Sequence, residues 1–136
     1  MIEFANTQPP SVISGGIISA RLATRDIFSD YESYSVVGWD GDDADSIGQD
    51  ALRSARFLNG MLPRGSLPDI APGTSGTIDF EWRGQAHSQI RYLFISVGPG
   101  ARVSVQSINQ LGRPMTNVYN SVQSAWPEIV SLTQQL

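Results

Sequence analysis

The sequence predicts a small α+β domain, in which a three-stranded antiparallel meander at about 76–107 carries helices on one of its faces. One observation behind this is the strict alternation of apolar and polar residues over 77–83, which is typical of a half-buried strand. Another is the amphipathic stripe over 46–61, which is typical of a helix that lies on such a sheet. Helices are predicted at about 20–34, 46–61 and 125–135.

The 136 residues are enough for one domain with its own hydrophobic core. Residues 1–16 contain Pro9-Pro10 and Ser14-Gly15-Gly16 and show no periodicity, so we expect a loosely ordered N-terminal arm. The single domain is then expected to span 17–136. Its first helix, at 20–34, is predicted from apolar residues that recur at roughly helical spacing.

The helix at 46–61 has the clearest boundaries. Ser46 and Gln49 form a capping-box pattern, in which each side chain satisfies a backbone N–H of the first turn. Pro63 and Gly65 end the helix, and the prolines of the segment 68–72 favour an extended connector.

Three strands are predicted after this connector, at 77–83, 88–97 and 101–107, with turns at Gly84 and at Gly98-Pro99-Gly100. The second strand is apolar on both faces and should therefore be central. The segment 109–120 is polar, and we expect a loop there that can hold a short strand near 116–119. Ser124 as a cap and Pro127 in the first turn predict the last helix.

Composition excludes several chemistries. The chain has no cysteine, which rules out disulfides and cysteine-based metal sites, and no lysine, which rules out Schiff-base chemistry. A formal net charge of −4 argues against general nucleic-acid binding and favours a partner with a basic surface. No signal peptide or membrane-spanning segment is predicted, so the expected location is the cytoplasm.

The densest charge lies between Asp40 and Asp50, where five aspartates occur without a basic residue. An EF-hand loop that began at Asp40 would place Ala44, Asp45 and Ala51 at positions that need an oxygen ligand, a glycine and a glutamate, so that motif fails. Carboxylates near a helix start are also favoured by its dipole. No metal or cofactor is predicted. The candidate partner-binding residues are Trp39, Asp40, Asp42, Asp43, Asp45 and Trp126.

Signals for catalysis are weak. His87 is the only histidine, and no serine-hydrolase motif accompanies it. Asp79 and Glu81 share one face of a strand, as acid–base pairs often do, but Thr77 and Arg83 on that face are ordinary for a solvent-exposed sheet.

Several of these segments together resemble a pattern of small uncharacterised bacterial proteins. The pattern reads W-D-G, an alanine-rich helix, P-x-I-x-P and G-x-I-x-x-E-W, and it matches Trp39-Asp-Gly, Pro68–Pro72 and Gly76–Trp82. The resemblance covers about 39–97. It implies an α+β fold and a bacterial or phage source, and it implies no active site.

The leading hypothesis is a non-enzymatic, acidic, antitoxin-like or inhibitor-like regulator that engages a basic surface of a protein partner. One alternative is a metal-assisted hydrolase that uses the Asp40–Asp45 cluster. Another is a phage-encoded protein that mimics nucleic-acid charge and so inhibits a host defence enzyme.

Overall fold

A computed structural model of the chain describes Phe28, residues 31–63 and residues 65–136. Within that part, five strands form one antiparallel sheet whose order in space follows the chain. The strands are β1 (Asp69–Pro72), β2 (Ile78–Arg83), β3 (Ile90–Val97), β4 (Val103–Asn109) and β5 (Pro114–Tyr119). Two α-helices, α1 (Gln49–Met61) and α2 (Val122–Thr133), and short 3-10 helices at Tyr31–Tyr34 and Pro99–Ala101 accompany them. The α+β class is confirmed.

The predicted three-stranded meander is wrong in its strand number, because a further strand lies on each side of it. The segment expected to be an extended connector pairs with β2 as β1, with Ile70 opposite Phe80. Proline is tolerated in an edge strand, so Pro72 does not prevent this pairing. The segment expected to be mainly loop pairs with β4 as β5. It shows no alternation because nearly all of its side chains are exposed.

Helix α1 begins three residues later than predicted, and the capping box is wrong. Its N-cap is Gly48, which has no side chain to accept a hydrogen bond. Asp50 in the first turn takes this role instead: its Oδ1 accepts the Ala51 N–H at 2.8 Å, and its Oδ2 accepts the Gly100 N–H at 2.6 Å. The carboxylate thus ties the start of α1 to the turn between β3 and β4.

Helix α2, in contrast, begins three residues earlier than predicted. Ser121 is the N-cap, and its side chain accepts the backbone N–H of Ser124 at 3.1 Å, so Ser124 is not the cap. Pro127 therefore lies inside the helix rather than in its first turn. There it supplies no N–H for the carbonyl of Gln123.

One face of the sheet, which we call the covered face, forms the core with the two helices. Its side chains come from alternate positions of β2, β3 and β4, and they are almost fully buried. They are Ile78, Phe80, Trp82, Leu93, Ile95, Val97, Val103 and Val105. The helices contribute Ala51, Leu52, Ala55, Leu58, Val122, Ala125, Ile129 and Leu132. Trp82 donates its indole N–H to Ser66 Oγ at 2.7 Å, so the largest ring of this face keeps its polar atom paired.

The chain divides into two compact units, 1–32 and 33–136. In the described part of the first unit, the rings of Phe28 and Tyr31 meet edge to face with centroids 6.0 Å apart. The predicted arm 1–16 and most of the predicted helix 20–34 lie outside the described residues. No helix among the described residues is long and apolar enough to cross a membrane.

Candidate functional site

Residues 38–45, which we call the acidic loop, close on themselves. The Gly38 N–H donates to the Ala44 carbonyl at 2.7 Å. Asp40 Oδ1 accepts the backbone N–H groups of Asp42 at 2.9 Å and of Ala44 at 3.3 Å. The Asp40 carboxylate, a predicted partner-binding group, therefore holds its own loop in shape.

Trp39 and Asp45 join this loop to its surroundings. The indole N–H of Trp39 donates to the Asp45 carbonyl at 2.8 Å, and its ring lies against Tyr34 with centroids 4.7 Å apart. The Asp45 N–H donates to the Thr74 carbonyl at 2.8 Å, beside a parallel bridge to Ser75. Trp39, Asp40 and Asp45 are thus brought together, and each makes a hydrogen bond that gives it a structural role in the loop.

Asp42 and Asp43 differ from their neighbours in the acidic loop. Both are exposed, and their carboxylates accept no hydrogen bond from the described residues. Trp126 lies outside this loop on α2, where it is half-buried beside the helix face that fills the core. Of the six candidate residues, Asp42 and Asp43 are therefore the exposed ones without a hydrogen-bond partner among the described residues, and Trp126 keeps part of its ring accessible.

The side chains of the acidic loop are not arranged around a common point. Within the described ranges, no three histidine, aspartate or glutamate side chains are grouped to hold a metal ion. Asp40, which such a site would need, already uses Oδ1 for two backbone N–H groups. The metal-assisted hydrolase therefore gains no support from this loop.

His87 and Ser88 are neighbours without catalytic geometry. Ser88 is buried in the turn between β2 and β3, where its Oγ accepts the Gln85 N–H at 3.1 Å. His87 is exposed and lines a shallow depression with Ser131, Gln134 and Gln135 at the end of α2. A nucleophile would need its base within hydrogen-bond reach, and here the hydroxyl serves the turn.

The side of the sheet opposite the covered face carries a second set of side chains, and we call it the open face. Both described helices pack on the covered face, so neither lies over this surface. The strand registers arrange its residues in rows that run across the sheet. The rows are Asp79–Ser96–Ser104–Val118, Glu81–Phe94–Gln106–Thr116 and Arg83–Tyr92–Ile108–Pro114.

An aromatic stack occupies the centre of the open face. Tyr92 and Phe94 are two residues apart on β3, the central strand, and their rings stack at 6.4 Å between centroids with an interplanar angle of 8°. The Arg83 guanidinium lies 5.5 Å from the centroid of the Tyr92 ring, within the range of a cation–π contact. Both rings are half-buried, so part of each remains accessible.

Carboxylates border this stack, and each has its own partner. Asp79 Oδ1 accepts hydrogen bonds from the hydroxyl groups of Thr77 at 2.8 Å and Ser96 at 2.9 Å. Glu81 forms an ion pair of 2.8 Å with Arg83. Because the two carboxylates are engaged separately, they form no shared acid–base pair.

The pKa of the Tyr92 phenol depends on its neighbours on the open face. Partial burial raises its pKa above the ordinary value, and the negative charge of Glu81 raises it further, whereas Arg83 acts in the opposite direction. A hydrogen bond between the Tyr92 hydroxyl and Glu81 acts in the same raising direction, since a neutral phenol donates to the carboxylate.

Sequence reasoning did not select Tyr92 or Phe94. It assigned the apolar stretch of β3 to a strand buried on both sides, which correctly made β3 central. Tyr92 and Phe94 pair with the polar residues Arg83 and Glu81 of β2, and cross-strand neighbours share a face of the sheet. This pairing is the one signal that places the two rings on a partly exposed face. That register depends on the turn at Gly84 and was not evident from composition.

Comparisons of the chain with protein-family models, with curated proteins and with solved structures gave no match.

Proposed function

We propose that this protein is a non-enzymatic binding regulator, antitoxin-like or inhibitor-like, whose open face engages a basic surface of a protein partner. The observation that carries the proposal is the stack of Tyr92 and Phe94 at the centre of a sheet face that neither described helix covers. Aromatic side chains ringed by polar groups are the usual composition of a protein-binding hot spot.

The shape of the site favours a protein over a small molecule. Small ligands are held in concave cavities that bury most of their surface. The open face is instead one side of a sheet, with accessible residues on β2, β3, β4 and β5. Its depression at Arg83, Tyr92 and Ile108 is wide open to solvent and would leave a small ligand largely exposed. Such a surface offers contacts spread over several strands, which is what a folded partner requires.

Charge supports a basic partner. The side chains of Asp79 and Glu81 lie on the open face, and Arg83 is already paired with Glu81. Asp42 and Asp43 add exposed carboxylates elsewhere in a chain of net charge −4. Complementary charge accelerates association and disfavours acidic competitors. A nucleic-acid-binding enzyme is one class of partner with such a surface, so mimicry of nucleic-acid charge uses the same chemistry.

The test is capture of a stoichiometric partner by the tagged full-length chain, followed by mass spectrometry and a measurement of affinity against salt concentration. Phe94→Ala is expected to weaken the complex by roughly tenfold or more, as truncation of a hot-spot aromatic does. Phe57→Ala is the matched control, because Phe57 is 44% exposed on α1 and lies outside the open face.

Two outcomes would count against the proposal. If Phe94→Ala and Phe57→Ala bind equally well, the open face is not the interface. If binding instead depends on the double substitution Asp42→Asn with Asp43→Asn, the acidic loop is the contact surface. A complex that is insensitive to salt would contradict the basic partner, because charge attraction is screened by salt.

A further inference from the structure

The outer edge of β5 is built differently from an ordinary protected edge. Proteins usually guard an edge strand with charge, an internal proline, a bulge or short length. β5 contains no charged residue, and its only proline is its first residue, Pro114. Its pairing with β4 is continuous over six residue pairs. Among the described residues, no strand pairs with its other side.

The register shows which backbone groups of β5 point outward. The Asn109 N–H donates to the Arg113 carbonyl at 3.1 Å, so this is a hydrogen-bonded pair at the start of the β4–β5 ladder. Hydrogen-bonded and non-hydrogen-bonded pairs alternate along an antiparallel ladder. The bonds of Asn117 are therefore directed to β4, and the N–H and C=O groups of Thr116 and Val118 point away from the sheet.

Apolar side chains flank these outward groups. Val118 is 58% exposed, Met115 is 59% exposed and Leu111, in the preceding turn, is 79% exposed. Val118 lies on the open face and Met115 on the opposite side, so both sides of the edge carry uncovered apolar surface. An extended strand paired with β5 would shield both while it satisfied the free amides.

We propose that β5 pairs with β5 of a second copy of this chain, antiparallel about a two-fold axis at Asn117. Thr116 then pairs with the partner's Val118 and Val118 with the partner's Thr116, and each pair exchanges both N–H···O bonds. The strand is self-complementary in this register and is itself uncharged. The Glu128 carboxylate beside it accepts hydrogen bonds from Asn117 and Tyr119 of its own chain. The two sheets join into one, and the two open faces lie side by side.

Pairing at the β5 edge leaves the open face itself accessible, so it is independent of the binding proposed for that face. A pair of strands buries little surface, so the expected dissociation constant is on the order of micromolar or weaker. Sedimentation velocity of the full chain over a range of concentrations should therefore show a monomer–dimer equilibrium.

Two substitutions test the pairing from independent directions. Thr116→Pro removes an outward N–H and leaves the bonds to β4 in place, and Val118→Lys adds the kind of charge that guards natural edges. Both variants should be monomeric at concentrations where the unmodified chain is a dimer. Gln106→Lys is the matched control: it adds the same charge to the open face, one strand inward, and should still dimerise.

Hydrogen exchange supplies a readout at the residues themselves. The amides of Thr116 and Val118 should become protected as concentration rises, and circular dichroism should show that the variants remain folded. A chain that stays monomeric at all concentrations overturns the proposal, as does dimerisation that persists in both variants. Protection of these amides in the dilute monomer also overturns it, because the chain itself then covers the edge. None of these results affects capture of a partner through Phe94.

Discussion

The two faces of the sheet come from the same strands and differ only in which alternate residues they present. On the covered face, Phe80 is fully buried opposite Ile95, and the surrounding positions are apolar. On the open face, Phe94 is half-buried opposite Glu81. The covered face is explained by packing alone. Aromatic rings that remain accessible beside the carboxylates of β2 are not required by the fold, so the open face is where a binding role is to be sought.

The largest expected difference between the faces is in stability. Phe80→Ala should lower the free energy of unfolding by about 3–5 kcal/mol, because it leaves a cavity at a fully buried position of the core. Phe94→Ala should lower it by about 1 kcal/mol or less, since water already reaches that ring. Urea denaturation followed by circular dichroism measures both. If Phe80→Ala fails to fold, the milder Phe80→Leu gives the same ranking, and equal losses at positions 80 and 94 would mean that the open face is part of a core.

The division between the faces depends on strand register, which Gly84 helps to set. A Cβ on Gly84 would clash with the backbone carbonyl oxygen of Ile90 across the hairpin, so the backbone of the two strands would have to shift. Gly84→Ala should therefore destabilise the protein by about 1–3 kcal/mol, as overpacking does. Gly60→Ala is the matched control. A Cβ there meets nothing within 4 Å, and alanine in a helix should stabilise by up to about 1 kcal/mol. A neutral Gly84→Ala would show that the hairpin tolerates a shift of register.

The same contrast explains how far sequence reasoning reaches. Alternation at Ile78, Phe80 and Trp82 correctly indicated a covered face, because burial imposes a period on apolar residues. β5 was predicted only in part, because almost all of its side chains are exposed. A strand that buries no face shows no alternation of apolar and polar residues. The pairing of β1 was hidden by prolines that an edge strand tolerates.

The functional residues were harder to predict than the fold. Trp39 and Asp40 were selected for their residue type, and their contacts within the acidic loop give both a structural role. Tyr92 and Phe94 were overlooked because an aromatic residue in an apolar run suggests a core. Only the register with Glu81 and Arg83 separates the two cases, and register is a long-range property of the folded chain.

Two tyrosines allow the faces to be compared by titration. Tyr119 lies at the margin of the covered face, where Glu128 of α2 accepts hydrogen bonds from its hydroxyl and from Asn117 Nδ2. The hydrogen bond to Glu128 raises the pKa of Tyr119 above the ordinary value of 10.0, and burial adds to this. A phenol with a raised pKa in the folded state stabilises the protein below the pKa of the unfolded chain. That contribution is lost as pH rises through the folded pKa.

Substitution of Glu128 by Gln is therefore expected to lower the pKa of Tyr119 toward 10.0 and to reduce the loss of stability at alkaline pH. Ultraviolet difference titration shows the first effect, and thermal unfolding across the alkaline range shows the second. Tyr119→Phe is the control, because it removes the titrating group and should remove the same pH dependence. An unchanged Tyr119 titration in Glu128→Gln would mean that the contact between β5 and α2 does not form in solution.

The smallest expected effect is at Tyr92 on the open face, where two neighbours act with opposite signs. Glu81→Gln should lower the pKa of Tyr92, and Arg83→Gln should raise it, because the carboxylate raises this pKa and the guanidinium lowers it. In Glu81→Gln the pKa should remain above the ordinary value, since partial burial is the largest cause of the shift. NMR titration of the Tyr92 ring, assigned with Tyr92→Phe, measures both changes. If the pKa of Tyr92 returned to the ordinary value in Glu81→Gln, the Tyr92 ring would be well hydrated. Such hydration would argue against Tyr92 and Phe94 as the centre of an interface.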